Sequence, residues 1–242
     1  MRYQYIKASP QPPSLLFRWR TSPRVTKLLP LVLIFMGLSL VSFVVVPIAS
    51  YQFLMAPRFS SPLTPLPKEQ SSPPTVLAEE NLTDYTQITN WFPTAPRLPS
   101  RPTRVTHYRL SIPKLKIEDV IVQIGGEDLK KALIHYEGTA FPGQFGNAVI
   151  FGHSVLPQFF NPENYLTIFS TLPTLAMGDE VMVDFDGVHY RYLVEEMVEV
   201  DPKDISILEQ HYDDSCLTLV TCVPPGTYLK RLSVYACLTK HR

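Results

Sequence analysis

Apolar residues are concentrated in one long run near the N-terminus of this 242-residue chain. Residues 28–55 carry no charged side chain, and as a helix they would be about 42 Å long, enough to cross about 30 Å of hydrocarbon. A buried core helix rarely has so many uncharged residues. A cleaved signal peptide is the main alternative, but its apolar region is usually about half as long and ends in small residues. We therefore predict an uncleaved transmembrane helix over residues 28–55.

A different pattern, short segments of alternating apolar and polar residues, begins near residue 104 and predicts β-strands. The pair Asp186-Gly187 between two such segments favours a hairpin with a two-residue turn. Two short helices are predicted at residues 128–135 and 201–210, the second with Asp201 as its N-cap. Short strands separated by small helices indicate a mostly β domain, a barrel or a sandwich. The predicted strands lie at residues 108–112, 117–124, 148–151, 180–185, 190–198, 217–221 and 232–238.

Residues 56–103 separate the apolar run from this domain and contain ten prolines. Proline at this density prevents a continuous helix or a central strand, so we interpret the segment as an extended or coil-like linker. Its proline-free part, residues 82–92, has apolar residues at every third position, namely Leu82, Tyr85, Ile88 and Trp91. That spacing predicts a short helix that docks on the folded domain or lies at the membrane surface.

Charge is unevenly distributed, although the chain has 22 basic and 22 acidic residues. Six bases and no acid lie in residues 1–27, which leaves a net charge of −6 on the rest of the chain. A basic segment before an apolar span favours a cytoplasmic N-terminus. We therefore predict a basic cytoplasmic tail over residues 1–27 and an extracytoplasmic domain over residues 104–242. We expect the membrane, and no nucleic acid, as a partner.

Candidate chemistry lies where three predicted strands begin or end. The strand at 217–221 stops at Cys222, Arg231 opens the next strand of the same hairpin, and His153 sits in a Gly-His-Ser turn after an apolar strand. A thiol becomes a nucleophile when a neighbour takes its proton or stabilises its thiolate. Cys222, His153 and Arg231 are therefore the candidate catalytic residues. His135 is a rival imidazole, but its place after a predicted short helix favours a structural role.

The same hairpin makes a prediction about the other two cysteines. If Cys222 faces Arg231, then Cys216 falls opposite Cys237, and all four side chains lie on one face of the sheet. The two cysteines are then either packed thiols or a disulfide. A β-bulge in either strand would shift the register and break this pairing.

The combined pattern resembles the sortase family over about residues 105–238. Residues 218–222, TLVTC, match the sortase nucleophile motif TLxTC without departure. One departure is Glu137, which stands where many relatives have proline after a His-Tyr pair. The other matching stretches are 109–115 (the opening strand), 138–143 and 146–153 (the approach to the catalytic histidine), and Pro225-Gly226 with Arg231-Leu232.

The resemblance implies a closed eight-stranded sortase-type β-barrel with short helices, and the activity of a cysteine transpeptidase. The Cys222 thiolate would attack the backbone carbonyl of an LPxTG-like C-terminal sorting signal, and an amine would resolve the thioacyl intermediate. His153 would be the general acid and base, and Arg231 would hold the substrate and stabilise the oxyanion. The implied partners are secreted proteins with a sorting signal and an amine acceptor of cell-wall or pilin type. No cofactor or metal is expected, with weak calcium binding left open.

Two other functions compete with this interpretation. A non-catalytic β-module on a stalk would bind wall or partner proteins, and a simple cysteine peptidase would release its product to water. Nothing after the last predicted strand is apolar enough for a second span, which argues against sortases anchored at both ends. The sorting signal and the acceptor amine are not identified by the sequence. We expect the loops at residues 155–165 and 201–213 to determine specificity.

Overall fold

The computed structural model of the protein describes residues 23–59, 84–91, 98–99 and 103–239. The described residues fall into two compact units, one ending at Phe43 and the other beginning at Val44. Helix α1 (Pro23–Ser50) starts with proline, whose missing N–H is tolerated in a first turn. Residues 28–58 contain an 18-residue window with a mean hydropathy of 2.7 and form the one helical segment in the described part that is long and apolar enough to cross a membrane.

Eight strands in the described part close into a barrel, which confirms the fold class expected from the sequence. Their order around the barrel is β1-β2-β3-β4-β7-β8-β6-β5. Strands β4 and β7 are parallel neighbours, and β7 and β8 form an antiparallel hairpin. The strands are β1 (His107–Ile112), β2 (Ile117–Ile124), β3 (Leu133–His135), β4 (Gly146–Phe151), β5 (Glu180–Phe185), β6 (Val188–Val200), β7 (Ser215–Val223) and β8 (Lys230–Leu238).

The barrel interior is filled by alternate residues of the strands, as the period of two requires. In β4, for example, Ala148 and Ile150 belong to the interior core. One imidazole lies among these side chains: His135 is fully buried, with the Tyr108 hydroxyl 2.9 Å from its Nδ1 and the Thr139 hydroxyl 3.1 Å from its Nε2. This rival imidazole therefore sits inside the barrel, hydrogen-bonded through both ring nitrogens.

A second apolar cluster covers part of the outside of the barrel and positions the candidate site. It forms because Val149 and Phe151 point away from the interior, opposite to their neighbours in β4. We call this set the outer cluster; its buried members are Ile88, Trp91, Leu129, Ile134, Val149, Phe151, Val200, Ile207, Leu208, Val220 and Cys222. The candidate thiol is thus part of a hydrophobic surface that other segments of the chain cover.

The helix predicted over residues 128–135 is wrong. The Asp128 carboxylate accepts a hydrogen bond from the backbone N–H of Lys130 at 3.0 Å, a local bond that favours a turn over a helix. The residues that follow form β3, which is parallel to β2 and antiparallel to β4. Tertiary pairing on both sides therefore decides the conformation of this apolar segment.

The helix predicted over residues 201–210 is also wrong, for the same kind of reason. Asp201 accepts from the N–H of Lys203 at 2.9 Å, and Asp204 accepts from the N–H of Ser206 at 3.0 Å. These aspartates close two successive turns, and only the short 3₁₀ turn Ser206–Leu208 is helical. The segment between β6 and β7 is consequently a loop that packs Ile207 and Leu208 into the outer cluster.

Strands β7 and β8 pair in the predicted register. Cys222 is the partner of Arg231, and Cys216 is the partner of Cys237. Of the two alternatives for that second pair, the structure has the disulfide. It closes the hairpin at the end opposite to Cys222, which is the free cysteine.

We predict that the double variant Cys216→Ala/Cys237→Ala loses about 3 kcal/mol of unfolding free energy, because the bond constrains a loop with a sequence separation of 21 residues. Urea unfolding of the full chain in detergent measures the loss. A reducing agent should lower the stability of the unmodified chain to the same value and leave the variant unchanged. Equal stability of the two chains without reductant would contradict the prediction.

Candidate active site

The three candidate catalytic residues lie side by side at one rim of the barrel. Cys222 and Arg231 are direct cross-strand partners near the ends of β7 and β8. On the other side of β7, Phe151 of β4 pairs with Val220, so His153, two residues further, reaches the level of Cys222. The hairpin and the parallel pair β4–β7 therefore bring a thiol, an imidazole and a guanidinium to one place.

Hydrogen bonds beyond the end of β4 hold the histidine turn against β7. The N–H of Gly152 donates to the carbonyl of Val220 at 3.1 Å, and the Thr221 hydroxyl donates to the carbonyl of Gly152 at 2.9 Å. The Ser154 hydroxyl donates to the carbonyl of Cys222 at 2.8 Å. A Cβ on Gly152 would lie 2.3 Å from the Phe169 ring, so close packing requires glycine before the histidine.

The imidazole of His153 has a defined tautomer. Its Nδ1 is 2.8 Å from the carbonyl oxygen of Leu166, and since a carbonyl only accepts, Nδ1 carries the proton. Nε2 is left as the basic nitrogen of the neutral ring. Burial lowers the pKa of His153, although the Leu166 carbonyl acts in the opposite direction. The ring is therefore neutral at neutral pH and ready to accept a proton at Nε2.

The thiol of Cys222 is also neutral at rest. Its side chain is 1% exposed, and burial raises its pKa to about 12, while the positive charge of Arg231 lowers it. Desolvation exceeds the attraction of the guanidinium because the thiol belongs to the outer cluster. The resting site therefore holds a thiol beside a neutral imidazole and not a thiolate–imidazolium pair.

Arg231 is buried with its guanidinium directed at backbone carbonyls. Nη1 donates to the carbonyls of Tyr228 at 3.1 Å and Lys230 at 3.2 Å, and Nη2 donates to that of Trp91 at 3.3 Å. The guanidinium carbon lies 5.1 Å from the centre of the Trp91 ring, in the range of a cation–π contact. These contacts fix the fork beside Cys222.

Part of the linker lies over this site, and we call residues 84–91 the strap. Its backbone is tied to the β2–β3 connection, since the N–H of Ile88 donates to the carbonyl of Glu127 and the N–H of Leu129 donates to the carbonyl of Thr86. Trp91 is fully buried in the outer cluster. Of the two alternatives, the strap docks on the folded domain, but as turns with one 3₁₀ turn, Ile88–Asn90, and not as an α-helix. Leu82 lies outside the described residues.

Tyr228 connects the strap to the catalytic rim and was not found by sequence reasoning. Its ring stacks on that of Tyr85 with centroids 4.1 Å apart and meets the His153 ring edge-on at 6.4 Å. Its carbonyl also accepts from Arg231. The three-residue spacing in the strap indicated docking, but no local pattern indicated the surface on which Tyr85 and Trp91 dock.

The remaining histidines do not join the site. His107, His189 and His211 are exposed, and His241 lies outside the described residues. Within the described ranges, no group of three or more histidine, cysteine, aspartate or glutamate side chains is placed to hold a metal ion. The candidate site therefore comprises the three predicted residues together with Tyr228 and the strap.

Known proteins that are similar to this chain include several sortases. Residues 110–239 match the family model of the sortase domain. The chain is 28% identical over 130 residues to sortase D of Bacillus subtilis (strain 168), covering 52% of this chain and 60% of that protein, and 29% identical over 129 residues to sortase A of Bacillus anthracis, covering 52% and 56%. Among solved structures, sortase A of Corynebacterium diphtheriae aligns with a TM-score of 0.50 at 27% identity, over 59% of this chain and 64% of that chain. The chain thus spans less than two thirds of the length of the curated relatives it matches.

The pKa of Cys222 leads to a prediction about its reactivity. The rate of alkylation by iodoacetamide should rise about tenfold per pH unit from pH 7 to pH 10 without a plateau, because the thiolate fraction keeps increasing below a pKa of about 12. Mass spectrometry of the full chain measures the rate, and Cys222→Ala serves as the unlabelled control. A plateau at or below pH 8 would show instead that a thiolate–imidazolium pair is present at rest.

The strap leads to a second prediction about the same thiol. Trp91→Ala should raise the alkylation rate at pH 8 about tenfold or more, since each unit by which solvation lowers the pKa gives about tenfold more thiolate. Phe145→Ala, which removes an aromatic ring that is 65% exposed at the other end of β4, is the matched control and should leave the rate unchanged. An unchanged rate in a folded Trp91→Ala protein would mean that the strap does not shield Cys222.

Proposed function

The chain belongs to the sortase family, and on that basis we propose that it is a membrane-anchored cysteine transpeptidase that cleaves an LPxTG-like sorting signal and transfers the acyl group to an amine. The observation that carries the proposal is the pairing of Cys222 with Arg231 beside the basic nitrogen of His153. A nucleophile, a proton acceptor and an oxyanion donor within one rim are the three groups that acyl transfer requires.

In the proposed acylation, Nε2 of His153 accepts the thiol proton as Sγ of Cys222 attacks the scissile carbonyl carbon. The resulting oxyanion is stabilised by N–H groups of Arg231, whose charge persists at any working pH. The tetrahedral intermediate then collapses, the C–N bond breaks, and the imidazolium gives its proton to the departing amine. A thioester on Cys222 and a neutral imidazole remain.

Resolution of the thioester reverses the roles of the same groups. The acceptor amine attacks the thioester carbonyl, His153 accepts a proton from that amine, and Arg231 again stabilises the oxyanion. Collapse breaks the C–S bond, and the imidazolium returns its proton to the thiolate of Cys222. An amine acceptor gives transpeptidation, whereas water in the same position gives hydrolysis.

The raised pKa of Cys222 determines when the thiol loses its proton in the acylation step. A free thiolate is costly in the resting site, so proton transfer to His153 is coupled to the attack and does not precede it. The neutral resting pair also limits the reactivity of the thiol before a peptide binds. In this proposal, β4 and β7 orient the imidazole and the thiol for proton transfer. Because of this orientation, the nucleophile does not need to be permanently ionised.

The proposed location follows from charge and hydropathy. The apolar helix is a single membrane anchor, the basic residues 1–27 lie in the cytoplasm, and the catalytic domain, residues 104–242, acts outside the cell membrane. The linker, residues 56–103, then separates the anchor from the barrel. The proposed partners are secreted proteins with a C-terminal sorting signal and an amine acceptor of cell-wall or pilin type. The mechanism requires no cofactor.

Peptide cleavage by the full chain in detergent tests this function. With an LPxTG peptide and an added amine, the chain should form the amide product, and Cys222→Ala should lower the rate by at least about a thousandfold, because no other thiol is free. The same variant should keep its circular dichroism spectrum. Retained activity in Cys222→Ala would reject the nucleophile, and release to water alone with excess amine would favour the simple peptidase.

For Arg231, the adjacent residue on the same strand, Lys230, provides a matched control. Arg231→Ala should lower kcat/KM by about a hundredfold or more, since one lost oxyanion donor costs about 2.7–4 kcal/mol of transition-state stabilisation. Lys230→Ala removes the adjacent positive charge, which is paired with Glu199, and should change kcat/KM less than about twofold. Equal losses in both variants would indicate a general effect of positive charge. The surface-module alternative predicts no cleavage by any of these chains.

A further inference from the structure

The end of the apolar helical segment packs directly on the barrel, although residues 56–103 separate the two in the sequence. The compact unit that contains the barrel already begins at Val44. We call residues 47–59 the helix end. Two of its side chains, Tyr51 and Phe59, are 4% and 8% exposed and belong to the apolar core that fills the barrel. The helix end is therefore part of the folded catalytic domain.

A buried carboxylate ties the helix end to the catalytic end of the barrel. The Tyr51 hydroxyl donates to Oε2 of Glu199 at 2.9 Å, and the ammonium group of Lys230 pairs with the other carboxylate oxygen. The Glu199 side chain is only 9% exposed, so it depends on these partners for its hydrogen bonds. The residue after Lys230 is Arg231, the cross-strand partner of Cys222. The helix end consequently lies at the same end of the barrel as the catalytic rim.

Two loops of the rim lie next to the helix end and carry exposed apolar side chains. A crevice of about 210 Å³ separates the helix end from Pro157, after β4, and from Pro225, in the β7–β8 loop. Pro157 begins a 3₁₀ turn that ends at Phe159, and the β7–β8 loop continues to Leu229. Phe159 is 55% exposed and Leu229 is 68% exposed. The surface around the helix end is thus apolar on the barrel side as well.

The position of Tyr51 along the helix sets the height of this surface above the bilayer. About 20 helical residues cross about 30 Å of hydrocarbon, so a span that begins at Leu28, directly after Lys27, leaves the hydrocarbon near Pro47. Tyr51 lies about four residues further, which is at most about 6 Å beyond that boundary whatever the tilt of the helix. The headgroup region is about 5–8 Å thick on each side. Since Tyr51 is buried against the barrel, the catalytic end of the barrel reaches the headgroups.

The exposed side chains of this region suit a lipid interface. Phe53 of the helix end is 78% exposed and adds to the apolar surface formed by Phe159 and Leu229. Phenylalanine and leucine are the residues that interfacial segments bury at the boundary between headgroups and acyl chains. Arg58, at the close of the helix end, is exposed and places a positive charge where anionic lipids attract it.

We propose that the catalytic end of the barrel rests on the bilayer surface, with Phe159 and Leu229 inserted among the lipid headgroups. The helix end holds it there through Tyr51 and Glu199. The lipid interface is thus a second membrane contact of the chain, in addition to the apolar span. Cys222 works at a fixed height near the headgroups and not at the end of a freely moving linker. The proposal rests on the membrane anchor of the proposed function and not on its transpeptidase chemistry.

Tryptophan probes at the two ends of the barrel test the proposal in the full chain, reconstituted in phosphatidylcholine–phosphatidylglycerol vesicles. Phospholipids brominated near the headgroup should quench about half of the fluorescence that Leu229→Trp adds, because interfacial side chains lie about 5–10 Å into the headgroup and acyl boundary. Val188→Trp is the matched control, since Val188 is 48% exposed at the start of β6. It lies about 36 Å along that strand from Glu199, and its added fluorescence should be unchanged.

A change in the helix end tests whether it sets the height. In the Leu229→Trp chain, Tyr51→Ala should lower the quenching at least about twofold, because both the buried ring and the hydrogen bond to Glu199 are lost. Gln52→Ala, at the adjacent exposed position, is the matched control and should keep the quenching. Both variants should keep their circular dichroism spectrum. Unchanged quenching in a folded Tyr51→Ala chain would overturn the proposal.

Flotation of the chain with the vesicles separates this proposal from the proposed function. A chain that does not float rejects the membrane anchor, and the proposal with it. A floating chain in which neither probe is quenched, or both are quenched equally, overturns the proposal and leaves the anchor intact. Selective quenching at residue 229 in the Cys222→Ala chain supports the proposal, even if the transpeptidase assignment fails.

Discussion

The register between β7 and β8 is the constraint on which the rest of the structure depends. Because side chains alternate between the two faces of a strand, a slip of one residue would turn Cys222 into the barrel and leave Arg231 outside. The disulfide between Cys216 and Cys237 fixes the same register six residues away. One covalent bond therefore serves both the stability of the hairpin and the placement of the thiol next to the guanidinium.

The site combines two buried groups whose environments oppose each other. The outer cluster excludes water from Cys222 and keeps the thiol protonated, while the guanidinium of Arg231 is held charged in the same surroundings by carbonyl dipoles and the Trp91 ring. A fixed cation with its donors already oriented needs little reorganisation when an oxyanion forms. The strap presents a carbonyl oxygen, that of Trp91, to the same donors that would hold the substrate oxyanion.

The predictions from the sequence are correct where the alternation of side chains and the pairing of strands determine the structure. They are wrong where a few local hydrogen bonds determine the conformation. The hairpin register followed from counting along β7 and β8, and Asp186-Gly187 gave the turn between β5 and β6. The segment at 201–210 begins with Asp201-Pro202, a pair that suits a helix N-terminus, but the carboxylates of Asp201 and Asp204 accept hydrogen bonds from nearby N–H groups and close turns instead. The role of Trp91 was beyond reach because its partner, Arg231, is 140 residues away.

The distance between the rim and the carboxylates around Tyr235 explains how an acidic surface is compatible with the proposed cysteine nucleophile. Carboxylates beside Cys222 would raise its pKa further and make the thiolate costlier. Glu196, at the level of Tyr235, lies about 13 Å along the strands from the level of Arg231. That distance exceeds the Debye length of about 8 Å at physiological ionic strength, and Glu196 is exposed to solvent. The length of β8 therefore separates these carboxylates from the rim that holds Cys222 and the positive charge of Arg231.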